Sequence, residues 1–353
     1  MINVAILGPG GIADDQHAPA VEGHSKTRLW SVLSRSHERA VQFAAKHHLA
    51  SPFPAHTSLD VLLQDPEVHA VIIATPDRLH AEQVIACAKA KKHILLEKPM
   101  ATSLEECDKM TEAARQNNVV LALAYHLRWH AGHRKVKSII QSGGLGKLRH
   151  CRAHWTFAAP DSSNWRSAPA SGRWWSLAAN GTHCLDLVRW LFTATEGEVV
   201  DVKTVVSRSK FNSPHDETAI VALQFESGAT AEICVSVQFA SESRLEVYGD
   251  AGSIRMEGTM GRHGKGEIFQ SNSTIQPSIG PNQPFLVDFE PTNPFIGELN
   301  DFVEAIETGR QPEVSPMEGR RNVELLLQAI QASGVDRYGS LIFSEPKTRL
   351  PRL

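Results

Sequence analysis

The first third of the chain alternates short apolar runs with amphipathic segments. The apolar runs predict buried strands at 2–7, 28–33, 69–74, 94–96 and 119–123. The segments between them, such as 77–90 and 104–115, have the apolar spacing of helices. Strands that alternate with helices are typical of a parallel, doubly wound α/β sheet. We therefore expect one α/β domain over residues 1–124.

The pattern changes after residue 125, where alternating apolar and polar positions predict strands with one wet face. Such strands are expected at 148–157, 199–206, 218–226, 229–239 and 244–248. Tight turns join several of them, which indicates an open, mostly antiparallel sheet in a second domain over 125–353. Residues 258–294 are rich in Gly, Pro, Ser and Asn and predict an irregular excursion. Helices follow at 295–308 and 317–333, and the basic tail from Pro346 is expected to be mobile.

Length and composition restrict the function classes. A chain of 353 residues with 42% hydrophobic residues suits a two-domain globular protein. A net charge of -3 gives no electrostatic case for nucleic acid or an anionic membrane as a partner. The five cysteines are scattered, and neither a leader nor a long apolar run is evident, so we expect a cytoplasmic protein. An open sheet must cover its exposed face, which predicts a homodimer or homotetramer.

A glycine-rich stretch follows the first predicted strand directly. It reads Gly8-Pro9-Gly10-Gly11-Ile12-Ala13. The spacing matches G-x-G-x-x-G/A, in which the first glycine turns sharply and the second lets the backbone approach a pyrophosphate. The following helix start offers free N–H groups to phosphates. This position predicts a Rossmann dinucleotide-binding domain.

The second predicted strand ends in Ser34 and Arg35, with Arg39 one turn further on. An NAD enzyme usually has an Asp or Glu here, which binds the ribose 2′-hydroxyl and repels a 2′-phosphate. Arg and Ser instead donate hydrogen bonds to that phosphate. NADP is therefore favoured over NAD, and the alternative is that these are solvated loop residues.

A lysine lies at the carboxyl end of the strand in 94–100, ILLEKPM. Because Pro99 disfavours a helical conformation in the preceding residue, Lys98 stays extended at the sheet edge where open α/β sheets bind ligands. Thr75, Pro76 and Glu97 also follow strands and should line the same crevice. The alternative is that Lys98 is merely the polar end of a strand.

A histidine, His183, begins an apolar helical segment in the second half. Because imidazole titrates near neutral pH, it suits proton exchange with an alcohol. The alternative is a structural histidine at a helix start.

Five motifs together resemble the glucose-fructose oxidoreductase and inositol dehydrogenase family, Gfo/Idh/MocA. They are GPGGIA at 8–13, ATP at 74–76 with His80, EKP at 97–99, YHLRW at 125–129 and GTHCLDLVRWL at 181–191. The resemblance implies an amino-terminal Rossmann domain, and a carboxyl-terminal sheet domain whose last helices pack back on the first. It also implies an NAD(P)-dependent oxidoreductase acting on a sugar, polyol or sugar derivative.

The resemblance also implies site residues. Lys98 would lie beside the nicotinamide, and His183 would exchange the substrate hydroxyl proton. Trp165-Arg166 is similar to a pair near the cofactor in 1,5-anhydrofructose reductase-like members. The cofactor set would be Gly8, Pro9, Gly10, Gly11, Ile12, Ser34, Arg35, Arg39, Thr75, Pro76, His80, Glu97, Lys98, Trp165 and Arg166. The substrate set would be Lys98, His126, Arg128, Trp174, Trp175, Asn180, His183 and Asp186.

One position departs from the family pattern. Members commonly have an Asp four residues before the histidine, where this chain has Ala179 followed by Asn180. Asp186, one helical turn beyond His183, is expected to orient the imidazole instead. Trp174 and Trp175 stand where the family often has glycines, and are expected to narrow the pocket or stack on a sugar.

Two alternative functions stay open at this stage. An NAD-dependent glycosidase would keep its cofactor and oxidise its sugar only transiently. The absence of the family's Asp is consistent with this alternative. A non-catalytic dinucleotide-binding sensor is the other, although the presence of both Lys98 and His183 disfavours it. His126, His130 and His133 have helical spacing, but no carboxylate or cysteine accompanies them, so no metal is expected.

Overall fold

The first domain is built on a parallel sheet in the structure, a computed structural model that describes residues 1–169, 172–272 and 283–334. Its strands are β1 (Ile2–Leu7), β2 (Thr27–Leu33), β3 (Ala55–His56), β4 (Ala70–Ile73), β5 (His93–Glu97) and β6 (Leu121–Ala124). They lie in the order β3-β2-β1-β4-β5-β6. This is the doubly wound Rossmann order, and it confirms the expected fold of this half.

Helices cover both faces of this sheet. They are α1 (Ala18–Gly23), α2 (His37–Lys46), α3 (Leu59–Leu63), α4 (His80–Lys89) and α5 (Leu104–Asn117). In β1, Ala5 and Leu7 belong to one buried cluster, while Val4 and Ile6 belong to another on the opposite face. Because both faces are buried, the strand is an unbroken apolar run rather than an alternating one.

The second domain has a larger, mostly antiparallel sheet. Its strands are β7 (Leu148–Thr156), β8 (Val199–Ser207), β9 (Thr218–Phe225), β10 (Thr230–Ser236), β11 (Arg244–Gly249), β12 (Gly252–Glu257), β13 (Glu267–Asn272) and β14 (Phe285–Leu286). The order is β14-β13-β12-β11-β7-β10-β9-β8, and only β7 and β10 pair in parallel. Helices α6 (Ala131–Gln141) and α7 (Thr182–Glu196) accompany it, and α7 packs on β7 and β10.

The expectation of an irregular excursion over 258–294 is wrong in part, because β13 and β14 lie within it and extend the sheet. Strand β12, just before it, was also not predicted, although its residues alternate between buried and half-buried. The nearby glycines and serines are residue types that disfavour a strand prediction. Such short strands form because they pair with other strands of the sheet. The predicted tail from Pro346 lies outside the described residues.

Two helices after the second sheet contact the first domain. They are α8 (Pro294–Thr308) and α9 (Pro316–Ala332). Helix α8 packs against α1, and α9 packs against α5 and β6. At Gly319 an added Cβ would lie 2.7 Å from Leu123, so only glycine allows α9 this close to β6. Within the described ranges, no helix is long and apolar enough to cross a membrane.

Candidate active site

The glycine-rich loop connects β1 to a helical segment that starts at Gly11. Gly8 has φ +91°, and an added Cβ would lie 3.0 Å from the carbonyl oxygen of Ala74, so this turn requires glycine. At Gly10 an added Cβ would meet nothing within 4 Å, so the backbone borders open space. An uncovered backbone at a helix start fits a dinucleotide pyrophosphate.

At the end of β2, Ser34 is buried and its Oγ accepts a hydrogen bond of 3.2 Å from the backbone of Ser36. Arg35 and Arg39 are exposed, and their guanidinium groups have no ion-pair partner among the residues described. Both cations are therefore available to an anionic group at this end of the crevice.

His80 connects the two loops that follow β4 and β5. Its Nε2 lies 2.9 Å from the carbonyl oxygen of Thr75, and its Nδ1 lies 3.0 Å from that of Pro99. The ring is 1% exposed. His80 therefore positions the two strand ends, Thr75-Pro76 and the Lys98 segment, rather than facing a ligand itself.

Glu97 and His17 form a buried pair beneath Lys98. The His17 Nε2 donates a hydrogen bond of 2.8 Å to Glu97, whose other oxygen accepts one of 3.1 Å from the backbone of Lys98. Burial raises the pKa of Glu97, but the bond from His17 and nearby positive charge outweigh this and bring it to about 2. Glu97 is thus an anion that anchors the backbone of Lys98. The sequence analysis missed His17, because its partner is distant in the chain.

The ammonium of Lys98 reaches into the second domain. It donates hydrogen bonds of 2.9 Å to the carbonyl oxygen of Ala179 and 3.3 Å to that of Ala178. Burial and the charge of Arg166 lower the pKa of Lys98 to about 7, against the opposing charge of Glu97. The side chain can therefore exchange a proton near neutral pH.

The carbonyl groups come from a π-helical turn, Leu177–Gly181, that leads into α7. Asp216 holds the start of this turn, accepting hydrogen bonds of 2.9 Å from the backbone of Trp175 and 2.7 Å from that of Leu177. Burial raises the pKa of Asp216, and these hydrogen bonds oppose the rise. Sequence analysis did not identify Asp216, since nothing local indicates its partners.

His183 lies directly after this turn and is 4% exposed. Its ring contacts His126, Trp155 and Tyr125, with centroid distances of 4.8, 5.6 and 5.8 Å. The buried Nδ1 has no hydrogen-bond partner among the residues described. Burial and the charge of Lys98 hold the pKa of His183 well below its usual range, so the imidazole is neutral.

The expectation that Asp186 orients His183 is wrong. The carboxylate of Asp186 accepts two hydrogen bonds, of 2.6 and 2.8 Å, from the guanidinium of Arg128. It accepts a third, of 2.8 Å, from Asn322 on α9. Arg128 also pairs with Glu318 at 2.6 Å. Asp186 and Arg128 therefore join α7, the segment after β6 and α9, all in the second domain, in a buried network rather than facing a substrate.

The two tryptophans do not form a sugar-stacking surface. Trp174 is 1% exposed and Trp175 is 0% exposed. Trp174 belongs to the main core, and Trp175 packs in a smaller cluster with Phe211. An indole ring that is enclosed on both faces has no face left on which a sugar could stack. The expectation that these tryptophans stack on a sugar is therefore wrong. Asn180 is half-buried, and its amide lies 3.3 Å from the carbonyl oxygen of Trp155.

Arg166 stacks on Trp165, with its guanidinium carbon 4.1 Å from the ring centroid. Burial raises the pKa of Asp77 and the charge of Arg166 opposes the rise, which places this arginine beside the loop after β4. Arg166 also lowers the pKa of Lys98 and of His183. Arg166 is thus close enough for its charge to act on both Lys98 and His183.

The three histidines between the domains use their ring nitrogens in hydrogen bonds. His126 donates one of 3.0 Å to the carbonyl oxygen of Gly261, and His130 donates one of 3.1 Å to that of Lys265. His133 lies 2.8 Å from the carbonyl oxygen of Leu127. Over 1–169, 172–272 and 283–334, no group of three or more potential ligands is arranged for a metal ion.

A Rossmann sheet with an open glycine loop after its first strand is the architecture of a dinucleotide-binding domain, and Lys98 lies at the carboxyl edge of that sheet. Comparison with known proteins agrees. Residues 2–125 match the oxidoreductase family with an NAD-binding Rossmann fold, and residues 133–255 match the GFO/IDH/MocA carboxyl-terminal domain. The chain belongs to the Gfo/Idh/MocA family of oxidoreductases.

Individual relatives agree with this membership. The 1,5-anhydro-D-fructose reductase of Ensifer adhaerens is 29% identical over 88% of this chain and 90% of its own length. The myo-inositol 2-dehydrogenase of Thermotoga maritima is 27% identical over 73% of this chain and 75% of its own. The aldose-aldose oxidoreductase of Caulobacter crescentus, solved with glycerol, superposes with a TM-score of 0.84 at 25% identity, covering 94% of this chain and 97% of that one.

Proposed function

We propose that this protein interconverts a hydroxyl and a keto carbon on a sugar, polyol or sugar derivative, with Lys98 and His183 contacting the reacting oxygen. The main support is a contact between the two domains. The Lys98 ammonium of the first domain donates a hydrogen bond of 2.9 Å to the carbonyl oxygen of Ala179, four residues before His183. When bound, the nicotinamide supplies or accepts the hydride.

Lys98 is the proton-exchanging group in this proposal. Because its pKa is about 7, the neutral amine takes the hydroxyl proton during oxidation and the ammonium returns it during reduction. His183 stays neutral, since burial and neighbouring cations hold its pKa well below the usual range. A neutral imidazole is a weak base but hydrogen-bonds well, so His183 orients the substrate hydroxyl.

NADP is the proposed cofactor, with NAD as the alternative. The support is the pair of cations after β2, Arg35 and Arg39, which have no ion-pair partner among the residues described, together with Ser34 rather than a carboxylate directly after the strand. A 2′-phosphate would gain charge-assisted hydrogen bonds there.

Similarity to the 1,5-anhydro-D-fructose reductase favours a cyclic sugar ketone or its alcohol as substrate. Ala179 is neutral at the position where the family resemblance implies an Asp. A substrate hydroxyl therefore meets backbone carbonyl groups, Asn180 and the crevice arginine Arg166 instead. The comparisons give no support to the glycosidase or the sensor.

The outer face of the second sheet is the proposed contact with a second copy of the chain. Val205 and Ile220 on this sheet are 69% and 49% exposed. A depression of about 530 Å³ on the same face is lined by both signs of charge, including Arg152, Glu232 and Arg244. A self-complementary face suits a two-fold dimer, and light scattering of Ile220→Lys against the parent tests it.

The test of function is a panel of sugars and polyols assayed with NADP and NAD in both directions. Net formation or loss of reduced nicotinamide, read at about 340 nm, is expected for at least one substrate. An enzyme that cleaves glycosides without any net change in this absorbance would contradict the proposal.

A further inference from the structure

The loop between β12 and β13, residues 258–266, is tightly packed. An added Cβ at Gly264 would lie 1.7 Å from the carbonyl oxygen of Thr292, and one at Gly266 would lie 2.6 Å from that of Glu257. Thr259 and Met260 are 1% and 3% exposed. The path of this loop therefore depends on glycines at close backbone contacts and on buried side chains.

Three histidines fix the same loop to the segment that joins the two domains. His126 donates to the carbonyl oxygen of Gly261, His130 to that of Lys265, and His133 pairs with the Thr259 hydroxyl at 2.9 Å. The ring of His126 in turn lies 4.8 Å from that of His183. The loop is thereby fixed in position relative to His126 and, through the ring of His126, to His183.

This loop carries Arg262, whose guanidinium extends toward the first domain. Its Nη1 lies 3.6 Å from the carboxylate of Asp15, in the helical turn after the glycine loop. That carboxylate oxygen is itself 3.8 Å from the place where a Cβ on Gly11 would stand. The charge of Arg262 also lowers the pKa of Lys98. Arg262 thus lies beside the helical turn after the glycine loop and close enough for its charge to act on Lys98.

The pair of Arg262 and Asp15 is weak enough to be exchanged. Its side chains are 51% and 55% exposed, and an ion pair of that kind is screened by water. No other side-chain partner holds Arg262 among the residues described, so its remaining N–H donors are available. A pyrophosphate has more charge than a carboxylate and accepts two parallel hydrogen bonds from a guanidinium.

We infer that Arg262 is a dinucleotide-binding residue contributed by the second domain, which binds the pyrophosphate across the crevice, while Asp15 holds the guanidinium until the dinucleotide arrives. A dinucleotide held by the glycine loop with its nicotinamide near Lys98 would have its pyrophosphate near the turn that contains Asp15, where the Arg262 guanidinium lies. The inference rests on the dinucleotide binding in the proposed function. The inference explains why a tightly packed loop of the second domain directs the Arg262 side chain toward the first domain.

The test is calorimetric binding of ADP-ribose, which has the pyrophosphate but lacks the nicotinamide and cannot react. Arg262→Gln is expected to weaken ADP-ribose about tenfold, the size of one charge-assisted contact. The matched control is Lys265→Gln, the same loss of charge on an exposed side chain of the same loop, which should change affinity less than about twofold. Asp15→Asn should strengthen binding because it removes the competing carboxylate.

Arg262→Lys keeps the positive charge but lacks the planar guanidinium, and it controls for a folding defect in Arg262→Gln. Its affinity for ADP-ribose should lie between those of the parent and Arg262→Gln. Equal ADP-ribose affinity in Arg262→Gln and the parent would overturn the inference. So would a variant that binds ADP-ribose normally but has a raised KM for sugar, because Arg262 would then serve the substrate. A parent that binds neither ADP-ribose nor 2′-phospho-ADP-ribose would instead overturn the proposed function, and the inference with it.

Discussion

The Lys98 ammonium is bound by the backbone carbonyl oxygen of Ala179, at 2.9 Å, in the turn where related enzymes commonly have an aspartate. A neutral partner does not stabilise the charged amine as a carboxylate would. Burial and the charge of Arg166 lower the pKa of Lys98 to about 7, and no carboxylate in this turn opposes them. Ala179 in place of the family's Asp thus leaves the lowered pKa of Lys98 without an opposing charge from this turn.

Restoring a carboxylate at this turn should move the pH dependence of the reaction. In the parent, kcat/KM for alcohol oxidation needs the neutral amine, so it should be full above about pH 7 and fall as pH drops through that value. Ala179→Asp places an anion within a few ångström of Lys98 and should shift the profile upward by about one unit. Ala179→Asn, of equal size but uncharged, is the control. Identical profiles for the two variants would show that charge at this position does not reach the lysine.

The network around Asp186 should matter for stability. Asp186→Asn leaves Arg128, which is 2% exposed, with Glu318 as its remaining anionic partner. Breaking a buried ion pair typically costs about 3 kcal/mol or more of the free energy of unfolding, measured by urea denaturation. Asp108→Asn, which breaks an exposed pair with Arg320, should cost less than about 1 kcal/mol. Equal losses in both variants would argue against the buried network.

Cofactor choice should depend on the cation after β2. Arg35→Gln is expected to weaken NADP binding about tenfold and leave NAD unchanged, because only NADP has the 2′-phosphate. Arg149→Gln, whose side chain pairs with Asp250 in the second domain, should alter neither dissociation constant. A parent that binds NAD more tightly than NADP would refute the assignment.

A buried carboxyl group on α8 should limit stability at alkaline pH. Glu298 is 3% exposed, and neither side-chain oxygen has a partner among the residues described. Burial and the charge of Glu97 raise its pKa well above the usual range. Its contribution to stability is therefore full below the unfolded pKa and is lost as pH rises through the folded pKa.

Glu298→Gln cannot ionise, so its melting temperature relative to the parent should rise as the pH increases above the ordinary carboxyl range. Glu304→Gln on the exposed side of the same helix is the control and should show little such trend. A pH-independent difference for Glu298→Gln would mean that this carboxyl group does not titrate in the folded protein.

Local patterns were sufficient for the Rossmann half and for Lys98. The glycine loop and the strand-end residues follow from short-range features, namely apolar runs, a proline and a helix cap. At the start of α5, Ser103 accepts a hydrogen bond from the backbone of Glu106, three residues on, as in a capping box, although the Glu106 carboxylate binds Thr102 rather than the cap residue. Such contacts span a few residues, and sequence spacing determines them.

Long-range partners could not be predicted from one sequence. Helical spacing put Asp186 near His183, but a buried arginine from another segment binds that carboxylate. His17 finds its partner Glu97 eighty positions away, through the sheet topology. The burial of Trp174 likewise depends on residues distant in sequence that belong to the same core cluster. Each outcome follows from tertiary packing that has no local signal.

The most direct test of the account compares the parent with Lys98→Ala on the best substrate of the panel, with Lys135→Ala as an exposed-lysine control. Dinucleotide affinity should stay within about tenfold of the parent, because the glycine loop holds the phosphates. Net change of reduced nicotinamide should disappear in Lys98→Ala and persist in Lys135→Ala. Turnover in Lys98→Ala close to that of the parent would contradict the central claim that this lysine exchanges the substrate proton.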